Sequence, residues 1–304
     1  MKNDKVMVSI ICTSYNHGEF IAEAIESFLM QKTDFAFEIL IHDDASTDHT
    51  AQIIREYEKK YPDLIKPIYQ NENQYSQGVL VELINHERAK GKYIAVCEGD
   101  DYWTSPYKLQ KQVDYMESHP ECSMCVHAAS KVSAKSHKVV APIRPSKRDK
   151  VFSVAEVIEG GGGLFATNSI MYSKEKVLKM PSFYMNATVG DYPLVIYSAL
   201  QGTIFYMDEN MSAYRVEVNG SWTNTEVSNI ENKIKHYDDI ADMLDEINRY
   251  TNFRYHEVIE RTKKRDRFFL LLKQHKFKEA LKSDYKECYM HTGFLKKVIK
   301  KLIV

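Results

Sequence analysis

The sequence predicts an α/β protein, a largely parallel sheet with helices on both faces, continued by a mixed extension and a helical tail. Three observations carry this. Short β-branched apolar runs alternate with helix-period segments through the first hundred residues. The alternation loosens after about residue 120. From about Val227 onward Glu, Lys, Asp, Leu and Ile dominate, with no Gly or Pro until Gly293.

Taken in order, Val6–Cys12 reads as a buried strand. A helix follows over Glu19–Met30, with Phe20, Ile21, Ala24, Ile25, Phe28 and Leu29 at helical spacing. Phe37–Ile41 is a second strand. Thr47–Tyr61 is a second helix, opened by the cap-forming Ser46, Thr47 and Asp48 and closed before Pro62. Leu64–Tyr69 reads as a strand, Val79–Ala89 as a helix and Tyr93–Cys97 as a fourth strand. Connections between the parallel strands should be right-handed crossovers. Further on, Ser123–Ala128 and Ser169–Tyr172 look like strands, and Gly202–Met207 with Met211–Val216 suggests a hairpin. The expected organisation is a domain over 1–225 and a helical extension over 226–304, without internal repeats or a flexible linker.

The 304 residues are 44% apolar and 27% charged, ordinary globular composition that excludes disordered and collagenous classes. The 41 Lys and Arg nearly cancel the 42 Asp and Glu, which argues against a nucleic-acid partner. Five cysteines do not make a disulfide framework in a chain this long. The apolar stretch after Lys5 is too short for a signal-peptide core. The uncharged run Tyr192–Met207 is only 16 residues and contains Pro193 and Gly202, short of the roughly 20 a membrane span needs. The expected location is cytoplasmic, so the sequons at Asn186, Asn210 and Asn219 carry no meaning.

In open α/β sheets ligands bind beyond the carboxyl ends of the strands. Strand one is followed by Thr13-Ser14-Tyr15-Asn16-His17-Gly18, strand two by His42-Asp43-Asp44-Ala45-Ser46-Thr47-Asp48, and strand four by Glu98-Gly99-Asp100-Asp101-Tyr102-Trp103. Two acidic clusters in one crevice repel each other unless a cation or a donor-rich ligand compensates. Oxygen ligands of this kind suit Mg²⁺ or Mn²⁺ carrying a phosphate group. Helix capping is the alternative for Asp43–Asp48. Three acids in four positions at Glu98–Asp101 exceed what one cap requires.

The order VSIICTSYNHGEFIAEAIESFLMQ, then EILIHDDASTD, then GKYIAVCEGDDYWTSPYKLQKQV resembles the inverting family-2 glycosyltransferases over about residues 6–222. That resemblance implies the A-type fold of those enzymes, a Rossmann-like mixed sheet flanked by helices that binds a nucleotide-sugar, with a UDP-sugar first among donors. It implies that Thr13 and Tyr15 line the nucleotide pocket, Tyr15 packing on the base, and that Asp44 holds the uracil or ribose. It makes Asp100 the ribose or metal contact and Asp101 the more direct ligand of Mn²⁺ or Mg²⁺. Glu98 stands where the family often has Asp, within the same acidic motif. Gly190-Asp191-Tyr192-Pro193-Leu194 sits where the family carries a Glu-Asp motif, which makes Asp191 the catalytic base although Gly replaces the first acid. The alternative for Asp191 is a helix N-cap with Pro193 in the first turn. The implied acceptor is a glycan or lipid-linked glycan in bacterial cell-surface polysaccharide synthesis.

Two other classes stay in view. A nucleotidyltransferase also gathers acids at strand ends, but Thr13–Gly18 has one Gly and no Lys or Arg to cradle phosphates. An inactive sugar-binding scaffold would be expected to show damage in the acidic motif, and Glu98, Asp100 and Asp101 are intact.

Four further features are weaker. Gly160–Gly163 lacks the Lys-Ser/Thr ending of a phosphate loop and reads as a flexible loop near the acceptor. Trp103 and Trp222 could stack on sugars or simply pack. Asn73 and Gln77-Gly78 match loosely an Asn and a Gly often found after the third strand. His119, Cys122, Cys125 and His127 lack the second knuckle of a zinc site, and their segment alternates like a strand.

Finally, residues 291–304 place Phe294, Leu295, Val298, Ile299, Leu302 and Ile303 on one helical face, with Lys296, Lys297, Lys300 and Lys301 on the other. Such a segment lies on an anionic membrane surface, packs on the protein body or forms a homo-oligomer contact.

Overall fold

The computed structural model describes residues 5–177, 179–218 and 229–291. Its chain divides into two compact units. The first comprises Met1–Pro181 and Val189–Gly220, the second Ser182–Thr188 and Ser221–Val304.

The first unit begins as the alternation predicts: β1 (Val6–Ser14), α1 (Ile21–Leu29), β2 (Ala36–Asp43), α2 (Thr50–Lys60), β3 (Ile65–Tyr69), α3 (Val81–Arg88) and β4 (Tyr93–Val96). Then follow β5 (Tyr102–Trp103), α4 (Lys108–Ser118), β6 (Cys122–Ser133), β7 (Val139–Ile143), β8 (Lys150–Phe152), α5 (Val154–Gly160) and β9 (Met171–Ser173). The short α6 (Ser182–Met185) belongs to the second unit; α7 (Asp191–Gln201) and β10 (Thr203–Val216) complete the first. Among the described residues one sheet runs β3-β2-β1-β4-β9-β6-β10-β5, with β7 on β6 and β8 on β10. β3, β2, β1 and β4 are mutually parallel, as are β6 and β10, and antiparallel β9 joins the two sets. The fold is therefore α/β with a mixed sheet flanked by helices.

The core explains the order. Val8, Ile10 and Cys12 of β1 and Ile39 and Ile41 of β2 are fully buried, which is what a strand covered on both faces requires. α1 lays Ile21, Ala24, Ile25 and Phe28 against them, and Phe28 meets the Trp103 ring edge-on at 4.9 Å. A fully buried Phe of this kind contributes ~1.5–3 kcal/mol by removal from water alone. Trp103 is 1% exposed and its indole nitrogen donates to the Asn168 carbonyl, so packing, not sugar stacking, is its role.

Three expectations change. The anticipated hairpin over Gly202–Val216 is one strand, β10, paired in parallel with β6 along its length. Asp208-Glu209-Asn210 is a register shift between Met207 and Ser212, held outward by the Arg144–Asp208 pair. A bulge, not a turn, absorbs these polar residues because the segment has no Gly or Pro to reverse the chain. Second, α2 starts at Thr50, three residues later than its cap signals suggest. Asp48 caps from two residues upstream, its Oδ1 accepting the Thr50 amide at 2.9 Å. Third, Cys122, Cys125 and His127 lie in β6, and among the described residues no three His, Cys, Asp or Glu side chains come together as a metal cage.

The second unit is helical. α8 (Ile230–Tyr250) and α9 (His256–Lys273) pair through buried Ile240, Leu244, Ile247 and Ile259, and Lys263 bridges to Asp245 at 2.6 Å. Phe183 of α6 meets Tyr250 at 5.2 Å. α10 (Phe277–Ala280) and α11 (Lys286–His291) add a small cluster around Phe268, Leu271 and Ala280. Trp222, the expected boundary at 225/226 and the amphipathic stretch after His291 lie outside the described residues. No described helix is long and apolar enough to cross a membrane.

Candidate active site at the carboxyl ends of the strands

Parallel pairing sets the carboxyl ends of β1, β2 and β4 side by side. Ser14 is in register with Asp43, and the Gly99 amide donates to the Thr13 carbonyl at 2.9 Å, so the loops after all three strands meet. They are laced together. Asn16 donates its amide to Ser46 Oγ at 2.9 Å and accepts from the Thr47 amide at 2.8 Å; Gly18 donates to Asp48 Oδ2 at 2.9 Å. Two non-glycine residues there, Asn16 and Ala45, hold left-handed φ of 56° and 60°. Asn accepts that conformation, whereas for Ala it is strained and is sustained by the surrounding bonds.

Thr13 ends β1, and Tyr15 just beyond it is 43% exposed, its ring available to a ligand. Asp44 is buried. Its two carboxylate oxygens accept the backbone amides of Gln74 and Tyr75 at 2.8 and 3.0 Å, and Asn73 donates to its carbonyl at 3.3 Å. Asp44 thus anchors the segment after β3, which gives the Asn73 match a structural sense. Beside it, fully buried His42 is held below the usual imidazole range by burial, and neither ring nitrogen has a hydrogen-bond partner. Burial also raises the carboxyl of Asp43, whose Oδ1 is unpartnered.

The acidic motif after β4 is a tight turn closed by the Asp101 amide donating to the Glu98 carbonyl at 3.1 Å. Gly99 is required there: a Cβ would stand 2.8 Å from Ser14 Oγ and 2.9 Å from His17 Nδ1. The three acids differ in setting. Asp101 is 1% exposed, with Oδ1 accepting the Arg215 amide at 2.7 Å and Oδ2 accepting Asn168 Nδ2 at 3.0 Å. Asp100 is partly exposed, its Oδ2 lying 3.9 Å from His17 Nε2. The Glu98 carboxyl is pushed up by burial and then by the negative charges of Asp100, Asp191 and Glu82. Asp101 is likewise raised by burial, then by Asp100 and Glu98. Buried carboxylates that oppose each other's ionisation are groups that a divalent cation would stabilise.

The donor set suits Mg²⁺ or Mn²⁺ in chemistry, being carboxylate oxygen throughout. The missing three-ligand cage is no obstacle, because such ions are usually held by one or two carboxylates and completed by substrate phosphates and water.

Asp191 opens α7 as the first residue after the Gly190 cap position. Its Oδ1 accepts the Tyr192 amide at 2.7 Å and its Oδ2 receives Thr167 Oγ1 at 3.5 Å, so it is a first-turn acid and not the cap itself. Burial raises its carboxyl above the ordinary aspartate range. A Cβ at Gly162 would lie 3.8 Å from Asp191 Oδ1, so the Gly160–Gly163 loop borders this carboxylate. Asp191 and the acidic motif are electrostatic neighbours although some 90 positions separate them in sequence.

Two participants escape sequence reasoning. Arg215 of β10, 6% exposed, places its guanidinium between the rings of Phe20 (4.9 Å) and Tyr102 (4.5 Å), pairs with Glu23 and donates to the Asp100 carbonyl. Asn168 is fully buried and satisfied, donating to Asp101 and to the Ala213 carbonyl while accepting from Ser212 Oγ and Trp103 Nε1. Neither sits in a recognisable motif; only the fold brings them to the acids. A separate cleft of about 1000 Å³ lies in the helical unit. Its walls mix Arg261, Lys264 and Arg267 with Glu257, Glu260 and Asp284 and gather no catalytic set, so the chemistry belongs to the strand ends.

Comparison with known proteins agrees with this assignment. Residues 9–169 match the model of "Glycosyl transferase family 2", and the chain belongs to that family. It is 36% identical over 218 residues to an uncharacterized protein of Mycobacterium tuberculosis, covering 71% of this chain and 60% of that one. It is 37% identical over 113 residues to WfaP of Escherichia coli, a UDP-Glc:alpha-D-GlcNAc-diphosphoundecaprenol beta-1,3-glucosyltransferase, covering 37% of this chain and 42% of WfaP. Among solved structures, Staphylococcus aureus TarS 1-349 in complex with UDP-GlcNAc shares the fold, with a TM-score of 0.63 at 17% identity over 88% of this chain and 72% of that one. The chain thus spans about 60% of the length of the mycobacterial relative it matches. Membership of this family sets aside the nucleotidyltransferase reading.

Proposed function

We propose that this chain is a metal-dependent, inverting glycosyltransferase of the A-type fold, moving a hexosyl or N-acetylhexosaminyl group from a UDP-sugar to a hydroxyl of a glycan or lipid-linked glycan. The observation that carries it is the meeting of Glu98, Asp100 and Asp191 around one crevice at the strand ends. The UDP moiety and the envelope-polysaccharide setting rest on WfaP and TarS, whose names state such donors.

Thr13 and Tyr15 would line the nucleotide pocket, with the exposed Tyr15 ring under the base. Asp44 would read the uracil or ribose after exchanging a backbone partner, or shape that pocket through its hold on Gln74 and Tyr75. Asp100, the more accessible acid of the turn, and Glu98 would hold Mn²⁺ or Mg²⁺, with Asp101 either ligating after releasing Asn168 or fixing the turn from below. A bound divalent cation neutralises charge developing on the departing diphosphate. Asp191 then takes the proton of the acceptor hydroxyl as that oxygen bonds to the anomeric carbon. The bond from that carbon to the diphosphate oxygen breaks, and its electron pair leaves with UDP. A single displacement inverts the anomeric centre, so an α-linked donor gives a β-linked product. A raised pKa suits a base that works near neutral pH.

A membrane-surface role for residues 291–304 is part of the same reading, since it would bring the site to a lipid-linked acceptor at the inner face of the membrane; assembly of copies through that segment is the alternative. Calorimetric titration with UDP and with GDP, each with and without Mn²⁺, tests the donor assignment. UDP binding that strengthens with Mn²⁺ is expected. Preference for GDP moves the donor class, and binding of neither returns the chain to a sugar-binding scaffold.

A further inference from the structure

Glu82, in the first turn of α3, belongs to none of the three motifs, yet its carboxylate lies inside the site. A Cβ at Gly190 would stand 2.5 Å from Glu82 Oε1 and 3.3 Å from its carboxyl carbon. Gly190 itself has φ −91° and ψ −39°, a helical conformation open to any residue, so its backbone does not demand glycine. Steric exclusion by Glu82 is what keeps position 190 without a side chain. Glu82 therefore fills the space beside Asp191, from a helix more than a hundred residues earlier in the chain. On its other side it is one of three carboxylates whose charge reaches Glu98, the others being Asp100 and Asp191.

We infer that Glu82 is a specificity-determining residue for the transferred sugar, accepting hydrogen bonds from its hydroxyls. This rests on the donor reading above. The sugar must lie between the acids that face the diphosphate and the base that faces the acceptor, and Glu82 borders both. A carboxylate there offers only acceptors, so it selects a ring that presents hydroxyl donors towards α3. Its contribution concerns the sugar, not the nucleotide, because no contact links it to Thr13, Tyr15 or Asp44.

The test is a double-substitution cycle read as two affinities, for UDP and for the best bound of UDP-glucose, UDP-galactose and UDP-N-acetylglucosamine, all in Mn²⁺. Glu82→Ala and the nearly isosteric Glu82→Gln should leave the Kd for UDP within about twofold, while the UDP-sugar loses about tenfold or more, the scale of a hydrogen bond to a charged group. Gly190→Ala should mimic that loss by displacing the Glu82 carboxylate, and should cost little when added to Glu82→Ala, since its only clash is gone. Equal loss for UDP and UDP-sugar would make Glu82 a fold-supporting residue and overturn the inference. So would independent, additive effects of Gly190→Ala and Glu82→Ala. Wild-type binding of neither UDP nor GDP, by contrast, defeats the donor reading itself, and this inference with it.

Discussion

Asp191 and the acids after β4 divide the work of one reaction, and their settings make the division testable. Asp191→Asn keeps the shape and the bond to the Tyr192 amide but cannot take a proton, so transfer should fall by about a hundredfold or more while UDP affinity holds. Near-normal turnover would put the base elsewhere. The sign of the pH dependence also follows. The base works ionised, so activity rises with pH through its pKa, and burial lifts that pKa above the ordinary aspartate value. The acid limb of kcat/KM should therefore sit above the usual carboxylate range; a limb near pH 4 contradicts a buried base. Among the motif acids, Asp100→Ala should abolish the gain in UDP affinity from Mn²⁺. Asp101→Ala, by stripping both Arg215 and Asn168 of their shared acceptor, should also lower the unfolding temperature. If Asp100→Ala still shows the Mn²⁺ gain, Asp100 is not a ligand. At this scale the sequence was legible only where the residues are consecutive. Glu98–Asp101 announces itself, whereas Arg215 lies 114 positions from Asp101 and Glu82 lies in an unremarkable helix start.

Elements were legible where a period repeats for long enough. β1 through β4 and their helices follow from buried β-branched runs and amphipathic spacing, with ends displaced by two or three residues. β10 was not, because a register shift of polar residues inside one strand has the same local composition as a turn between two. That misreading matters, since the continuous β10 delivers Arg215 beneath the acidic turn. Its guanidinium links α1 through Glu23 and Phe20 to β5 through Tyr102. Arg215→Ala should cost ~2 kcal/mol, the scale of a hydrogen bond to a charged group, and so lower the unfolding temperature by about 4–8 °C. Arg215→Lys should recover little of it, because an ammonium neither stacks as a plane between two rings nor donates to two partners in a fork. Full rescue by Lys in thermal unfolding would reduce the clamp to simple charge pairing.

For the whole molecule, Glu98, Asp101, Asp191 and Asp43 share one consequence: each has its carboxyl raised in the folded state by burial first. Between the ordinary carboxylate range and those raised values, the folded protein holds protons that the unfolded chain has released. Stability should then fall as pH rises through that window, the reverse of a salt-bridged acid. Mn²⁺ replaces those protons as a source of positive charge, so it should raise the unfolding temperature more at pH 8 than at pH 5. A metal effect independent of pH would separate the cation from these acids. The charge asymmetry visible in the sequence adds a second prediction. Residues 273–304 contain nine Lys against three acids in a chain whose net charge is −1. Removing residues 294–304 should release the protein from vesicles rich in anionic lipid, and unchanged co-sedimentation would favour packing or self-association. The most direct single measurement compares wild type with Asp191→Asn in Mn²⁺, following UDP release from a UDP-sugar alongside calorimetric UDP affinity. Loss of release with unchanged affinity is the predicted result; retained release, or affinity lost in step with it, would contradict Asp191 as the base of a sugar transfer.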